Sequence, residues 1–367
     1  MANIINIETD KDKFIGNLQK GVQSANLNFL IGSGCTKPAI DTLGTIEKDI
    51  QSLLEEDKID DAEKKTFEFL KPFVENTKTL LKDDFVKECQ TEKCNILETY
   101  KNYNSFIETI AKLLFERKSN ILHKQATIFT TNYDLFIEKV SENLTSQIII
   151  NDGFQRNSSL KQSFSFSASN FFNVLYSIGN LYNYQVEIPA INFIKLHGSL
   201  NWEIKDEKII NSFDFLMKAE ELKEETGIAK IIEFNNLFSL ILPKKDKFKE
   251  TLLNQVYYDM LRIYANELDK ENTLLIVDGF SFDDEHILEI TKRALKNPTL
   301  KLIVFCWDKE PKAFEDKFSD FKNVDIIYSE NENIDFVKFN EILIDVLPKE
   351  KTNIQKVEIV KVEQNEE

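Results

Sequence analysis

Three short polar patches carry the residue types that could do chemistry: Gly32-Ser33-Gly34, Thr131-Asn132-Tyr133-Asp134 and Lys195-Leu196-His197-Gly198. Each follows an apolar, β-type run, at 27–31, 126–129 and 191–194. Glycines let a backbone come close to a pyrophosphate, and the helix start that follows supplies N–H donors. The Asn132 carboxamide offers a donor and an acceptor that can orient a ligand amide, and Asp134 can fix or accept from a neighbouring group. Imidazole exchanges protons near neutral pH, so His197 is the natural proton acceptor, with Gly198 leaving room for a sugar ring. Such a set suits the cleavage of a dinucleotide.

Each patch also has a plain structural reading. A glycine pair after a strand serves as a tight turn, and Gly32 to Gly34 lacks the full G-x-G-x-x-G run with its later acidic residue. Thr, Asn and Asp are good helix N-caps, which alone accounts for 130–134. The chain has three histidines. His123 follows a helical stretch and is given no role. His286, in Asp283-Asp284-Glu285-His286, is placed at a helix start, as a structural residue or on the rim of the ligand site. It is their common placement that joins the patches, since α/β sheets bind ligands at the carboxyl ends of their strands.

The elements that must position them follow from periodicity. A helix is expected at 11–24 and a buried strand at 27–31. Residues 36–120 read as helix after helix, with Leu53, Phe67, Leu70, Phe73, Leu80 and Phe85 recurring at three- and four-residue steps. Strand character returns at 126–130, a helix at 135–144 and strand again at 147–150. Residues 155–190 are Ser- and Asn-rich with interleaved Phe, and are expected to form a loop plus a helix over the site. A second, mostly helical insertion is expected at about 203–270. Strands follow at 273–277 and 302–306, then an edge strand at 324–328 and an amphipathic helix at 336–347. Alternating strands and helices imply an α/β fold: a Rossmann-like parallel sheet with helices on both faces. Residues 1–348 are expected to be a single domain and 349–367 a charged C-terminal tail.

Composition narrows the function classes. A formal net charge of −16 argues against direct nucleic-acid binding and against anionic membrane surfaces, so an anionic ligand needs local donors. The run Lys244, Lys245, Lys247 and Lys249 is either a solvated turn before a helix or a contact to phosphate or nucleic acid. Lys37, Arg156 and Lys195 are the cations nearest the proposed site. No apolar run reaches the ~20 residues of a membrane-spanning helix, and the first residues lack the pattern of a signal peptide. Four irregular cysteines (Cys35, Cys89, Cys94, Cys306) argue against a disulfide scaffold and for a reducing, cytoplasmic setting. Cys89 and Cys94 could make half a zinc site, but no second pair exists. The chain carries no G-x-x-x-x-G-K-[ST] phosphate loop.

In order and wording the three patches resemble the sirtuin family: a glycine loop, a T-x-N-x-D patch and an H-G pair. Gly279-Phe280-Ser281-Phe282-Asp283-Asp284-Glu285-His286 resembles a fourth segment, G-[YF]-S-x-x-D-x-H-I, of its bacterial branch that destroys NAD during phage infection. Ser33 stands where Ala is usual, and Cys35-Thr36 departs from the pattern as well. The resemblance covers about 20–35, 125–155, 190–203 and 240–310, leaving the first helical insertion unexplained. Protein deacylases of this family carry two Cys pairs after the His-Gly. Here only Cys306 lies beyond His197, so no zinc is expected and deacylation is disfavoured.

The resemblance implies NAD as substrate. Gly32, Ser33, Gly34, Cys35, Thr131, Gly198, Gly279, Ser281 and His286 would bind it, with Gly279 and Ser281 lining the adenosine half. Asn132, Asp134 and His197 would be catalytic, and nicotinamide and ADP-ribose the products. It further implies an anti-phage effector controlled by assembly, a homo-oligomer, with a separate hexameric DNA-translocase-type ATPase as a partner of some relatives. Two other classes stay open from the residues: a sensor that binds ADP-ribose or a nucleotide without turnover, and a nucleic-acid-dependent nuclease subunit.

Overall fold

The computed structural model describes residues 1–41, 46–89, 94–117, 121–144, 148–156, 164–179, 184–205, 208–220, 227–238 and 252–348. The lysine run at 244–249 and the tail at 349–367 lie outside them. In chain order the first elements are β1 (Asn3–Asn6), α1 (Ile7–Ser24), β2 (Asn26–Ile31) and a short 3-10 turn at Ser33–Thr36. Helices α2 (Ile46–Glu55), α3 (Ile59–Leu80), α4 (Phe85–Glu88) and α5 (Asn95–Phe115) follow, as the three- and four-residue spacing requires. Then come β3 (Gln125–Thr130), α6 (Phe136–Glu142), β4 (Ile149–Asn151), β5 (Phe154–Gln155) and β6 (Ser165–Phe166). A 3-10 turn at Ala168–Phe172 leads to β7 (Tyr176–Ile178), β8 (Gln185–Glu187), β9 (Ala190–Lys195), β10 (Trp202–Lys205) and β11 (Lys208–Asn211). The chain closes with α7 (Asp214–Glu220), α8 (Ile228–Asn235), α9 (Leu252–Asp269), β12 (Thr273–Asp278), α10 (Glu285–Ala294), β13 (Leu300–Phe305), α11 (Lys312–Phe318), β14 (Val324–Tyr328) and α12 (Phe336–Asp345).

Eight strands form one sheet in the order β1-β14-β13-β12-β2-β3-β9-β4, and every neighbouring pair is parallel. β9 and β12 are buried along their whole length, as expected of strands covered on both faces. One face carries Phe29, Ile128, Phe193 and Ile276, packed with Phe14 of α1, Phe106 of α5 and Phe339 of α12. The other carries Leu30, Phe129, Ile194 and Val277, packed with Tyr264 of α9 and Ile287 of α10. The Rossmann-like parallel sheet between helical layers is therefore present as expected.

Three local expectations change. The 324–328 strand is not an edge, because β1 pairs with its outer side from Asn3↔Asp325 to Asn6↔Tyr328. The four residues Asn3-Ile4-Ile5-Asn6 are too few to announce a strand, and their two apolar side chains are adjacent rather than alternating. Residues 155–190 hold no α-helix among the described residues; β6 joins β5, β10 and β11 in a four-stranded sheet, and β7 pairs with β8 as a separate ribbon. Their Tyr, Ile, Val and Phe content favours strands over helix. The second insertion likewise begins as the β10–β11 hairpin before its helices.

Candidate active site

Four neighbouring strands end at the same level. Asp278 of β12 pairs with Ile31 of β2, Ile31 with Thr130 of β3, and Thr130 with Lys195 of β9. The glycine turn, the Asn132 patch, the His197 patch and the Gly279 segment thus leave the sheet side by side. The chain reverses its direction of strand addition between β12 and β2, the position where open α/β sheets form a ligand crevice.

At that reversal the loops after β2 and β12 are packed backbone to backbone. The Gly32 and Gly34 N–H groups donate to the carbonyls of Asp278 and Gly279, at 3.0 and 2.9 Å. A Cβ on Gly32 would come within 2.3 Å of the Gly279 carbonyl oxygen, and one on Gly34 within 2.7 Å of the Gly279 Cα. Gly279 itself has φ +64°. These glycines are required by the contact between loops, whatever else they bind. Ser33 is half-buried, whereas Cys35 is buried, its Sγ 3.1 Å from Asp278 Oδ2. Burial drives the Cys35 thiol well up, and the Asp278 charge adds to the effect. Burial likewise pushes the Asp278 carboxyl up to about 7, against the lowering bond from Cys35.

The Asn132 patch is tied to the glycine turn. Asn132 Nδ2 donates to the Gly32 carbonyl at 2.9 Å and lies 3.3 Å from the Tyr103 hydroxyl. Thr130 Oγ1 donates to the Ile31 carbonyl and accepts from the Asn132 N–H, which fixes the chain as it leaves β3. Thr131 is half-buried, while Tyr133 is packed in the core against Phe69 and Phe73. Asp134 is buried; its Oδ1 accepts from the Phe136 N–H at 3.1 Å in a turn one residue ahead of the N-cap position, which is Leu135. Its Oδ2 has no hydrogen-bond partner among the described residues. Burial raises the Asp134 carboxyl, and the Lys195 charge partly offsets this.

Lys195 anchors the next patch from below. It is buried, its Nζ 2.6 Å from Glu138 Oε1 and 2.7 Å from Ser199 Oγ, with a further bond to the Asp134 carbonyl. His197 is half-buried, and its Nε2 sits 3.0 Å from Asp284 Oδ2. The other carboxylate oxygen of Asp284 caps α10 by accepting from the His286 and Ile287 N–H groups, at 2.9 and 3.1 Å. Burial raises the Asp284 carboxyl, but the His197 bond and charge outweigh it and hold the group below the usual carboxylate range. Gly198 has φ +86°, a conformation that glycine adopts without strain. Ser281 and His286 are exposed on the rim.

The structure brings the glycine turn, Asn132 and Gly279 into one hydrogen-bonded cluster and connects His197 to the Gly279 segment through Asp284. Sequence reasoning missed Asp284 as a partner of His197, although the residue lies inside the quoted fourth segment. It also passed over Asp278 and Glu138; a carboxylate ending a buried apolar strand was the available signal for Asp278. Of the cations, Lys195 is held by Glu138, Arg156 is paired with Asp152 and Lys37 lies over the Trp307 ring. Cys89 and Cys94 are partly buried free thiols. Among the described residues no group of three or more His, Cys, Asp or Glu side chains could hold a metal ion, and no helix is long and apolar enough to cross a membrane.

A Rossmann-like parallel sheet with these four loops at its switch point defines the class: a doubly covered α/β domain. Residues 126–327 match the SIR2-like domain, more than half of the chain, and the chain belongs to that family. The matched region runs from β3 to β14 and contains Asn132, Asp134, His197 and Gly279, while the glycine turn lies before it. No curated protein matches the chain. Among solved structures, Sir2Tm bound to a propionylated peptide is similar over 92% of this chain and 98% of its own, at 15% identity and a TM-score of 0.39.

Proposed function

We propose that the chain hydrolyses NAD to nicotinamide and ADP-ribose. Membership of the SIR2-like family supports NAD-dependent chemistry in general. The observation that carries the finer reading is the His197–Asp284 pair, at the carboxyl end of β9 beside the loop cluster of Asn132 and Gly32. In this reading the loop from Gly32 to Cys35 and the backbone at Gly279 line the pyrophosphate by close approach, the Gly32, Gly34 and Cys35 N–H groups being already bonded within the two loops, with Thr131, Gly198, Ser281 and His286 further along. Asn132 turns the nicotinamide carboxamide, with the buried Asp134 supporting the loop behind it.

The C1′–N bond of the nicotinamide ribose breaks, and its electron pair neutralises the pyridinium. Water adds to C1′ and gives its proton to His197. Asp284 is ionised at neutral pH, so it accepts from Nε2–H and leaves Nδ1 as the atom able to take that proton. It also stabilises the imidazolium that results. A base so placed is worth ~10²–10⁴ in rate.

The same reading makes the protein a cytoplasmic anti-phage effector that is silent until assembled with copies of itself, with a ring-shaped DNA-translocase ATPase as the partner class that the resemblance implies. The β7–β8 ribbon supports an assembly surface. Phe172, Leu175, Tyr176, Ile178, Tyr184 and Val186 are all exposed there, and a two-stranded ribbon with bare apolar side chains is marginal alone in water. The test is nicotinamide release from NAD by the purified full chain, in wild type, Asn132→Ala and His197→Ala. Loss of turnover in both variants supports the hydrolase. Tight ADP-ribose binding with no turnover under any condition of assembly replaces it with a sensor.

A further inference from the structure

We propose that Trp307 and Lys37 form a clamp for the adenine end of the dinucleotide, Trp307 stacking on the base and Lys37 holding the adjoining phosphate. The proposal rests on the NAD reading above and adds two residues that no motif selected. Trp307 lies two positions beyond the end of β13 and is 49% exposed, an unusual place for the largest side chain unless it has something to cover. Lys37 directly follows the turn at Ser33–Thr36 after β2. Its Nζ lies 5.7 Å from the centre of the Trp307 ring.

β13 and β2 are not neighbours: β12 lies between them. The ring and the cation therefore meet across the carboxyl end of β12, reaching over two inter-strand spacings, about 10 Å of sheet. The residues beneath that bridge are Gly279 and the glycine turn, where two backbones meet without side chains. A half-exposed indole with a cation over one face, at the junction of the two glycine loops, fits an aromatic base on its other face and a phosphate at the cation. Charge supports the same assignment. In a chain of net charge −16 a pyrophosphate needs a local cation, and among the described residues Lys37 has no carboxylate partner, unlike Lys195 and Arg156. The clamp also sets the direction of the ligand: adenine toward β13, nicotinamide toward β3 and β9.

The chain contains two tryptophans, and Trp202 is buried at 4% exposure, so Trp307 is a built-in reporter. Full-length protein is titrated with adenosine, AMP, ADP-ribose and nicotinamide mononucleotide while indole emission is followed. AMP and ADP-ribose are expected to quench it, and nicotinamide mononucleotide is not. Trp307→Ala is expected to weaken ADP-ribose and raise KM for NAD roughly 10-fold or more, the effect falling on KM rather than kcat. Trp307→Phe, which keeps an aromatic face, is expected to restore most of that loss. Lys37→Met is expected to weaken ADP-ribose but not adenosine.

ADP-ribose binding, seen by calorimetry, that leaves the emission and the Trp307→Ala affinity unchanged overturns the clamp while leaving NAD cleavage standing. Quenching by AMP that disappears in Trp307→Ala, in a protein that releases no nicotinamide, upholds the clamp and overturns the hydrolase reading.

Discussion

Asp284 uses its two carboxylate oxygens on two different structures: Oδ2 lies 3.0 Å from His197 Nε2, while Oδ1 caps the first turn of α10. The rotamer of the imidazole is thereby tied to the helix that follows β12. Asparagine caps a helix about as well as aspartate, so Asp284→Asn separates the two roles. NAD turnover is expected to fall roughly 10- to 100-fold, within the worth of a general base, while the helix cap is kept and only the ion-pair part of the stability is lost. The depressed Asp284 carboxyl also fixes a sign: its contribution to stability is present above the ordinary carboxylate range and is lost as pH falls below about 4. Kinetics together with acid unfolding of both proteins check this.

Asp278 gives the opposite slope. With its carboxyl at about 7 in the fold and near ~3.9 when unfolded, the native state holds the extra proton between those values. Stability therefore declines as pH rises through that window, by at most about 4 kcal/mol, and levels off above it. Asp278→Asn keeps the shape and removes the titration. Urea midpoints at pH 4.5 and 7.5 are expected to lie closer together in the variant than in the wild type.

The sheet was largely legible because its strands are short apolar runs bounded by polar or glycine positions, as in the 273–277 and 302–306 segments, too short and too rich in Ile, Val and Phe for helices. The loops after β2, β3 and β9 were legible because Gly32, Asn132 and His197 interrupt such runs with polar or bare positions. What stayed hidden depends on partners distant in sequence. β1 is a strand only because β14 lies beside it, and Asp284 gains its second role only from His197, far earlier in the chain. The ribbon at Tyr176–Ile178 and Gln185–Glu187 was concealed by its three-residue strands and by the turn-forming Ser and Asn around them.

Gly279→Ala tests whether the junction of the two loops supports the crevice. The new Cβ would fall 2.7 Å from Cys35 Sγ and 2.8 Å from its backbone nitrogen, at φ +64°. Backbone strain and overpacking together are expected to cost roughly 2–4 kcal/mol. ADP-ribose affinity should fall as well, because the turn from Gly32 to Cys35 must move away. Gly16→Ala, where a Cβ meets nothing within 4 Å, is the control, and thermal melting with calorimetry separates the two.

Lys195 offers a last prediction, since its charge sits between the Asn132–Asp134 and His197 patches. Its Nζ binds Glu138, Ser199 and the Asp134 carbonyl in a buried pocket. Burial raises both the Asp134 and Glu138 carboxyls, and the lysine is the main group opposing it. Removing that cation in Lys195→Met leaves two desolvated carboxylates facing each other, with an expected loss of about 3–5 kcal/mol. Deleting one of those charges in Lys195→Met/Glu138→Gln should recover part of the loss, because the repulsion and half of the desolvation disappear with it. A double-mutant cycle by urea unfolding checks the coupling. A cycle in which the two losses simply add would mean that Glu138 is solvated and that the lysine acts through the Asp134 carbonyl alone.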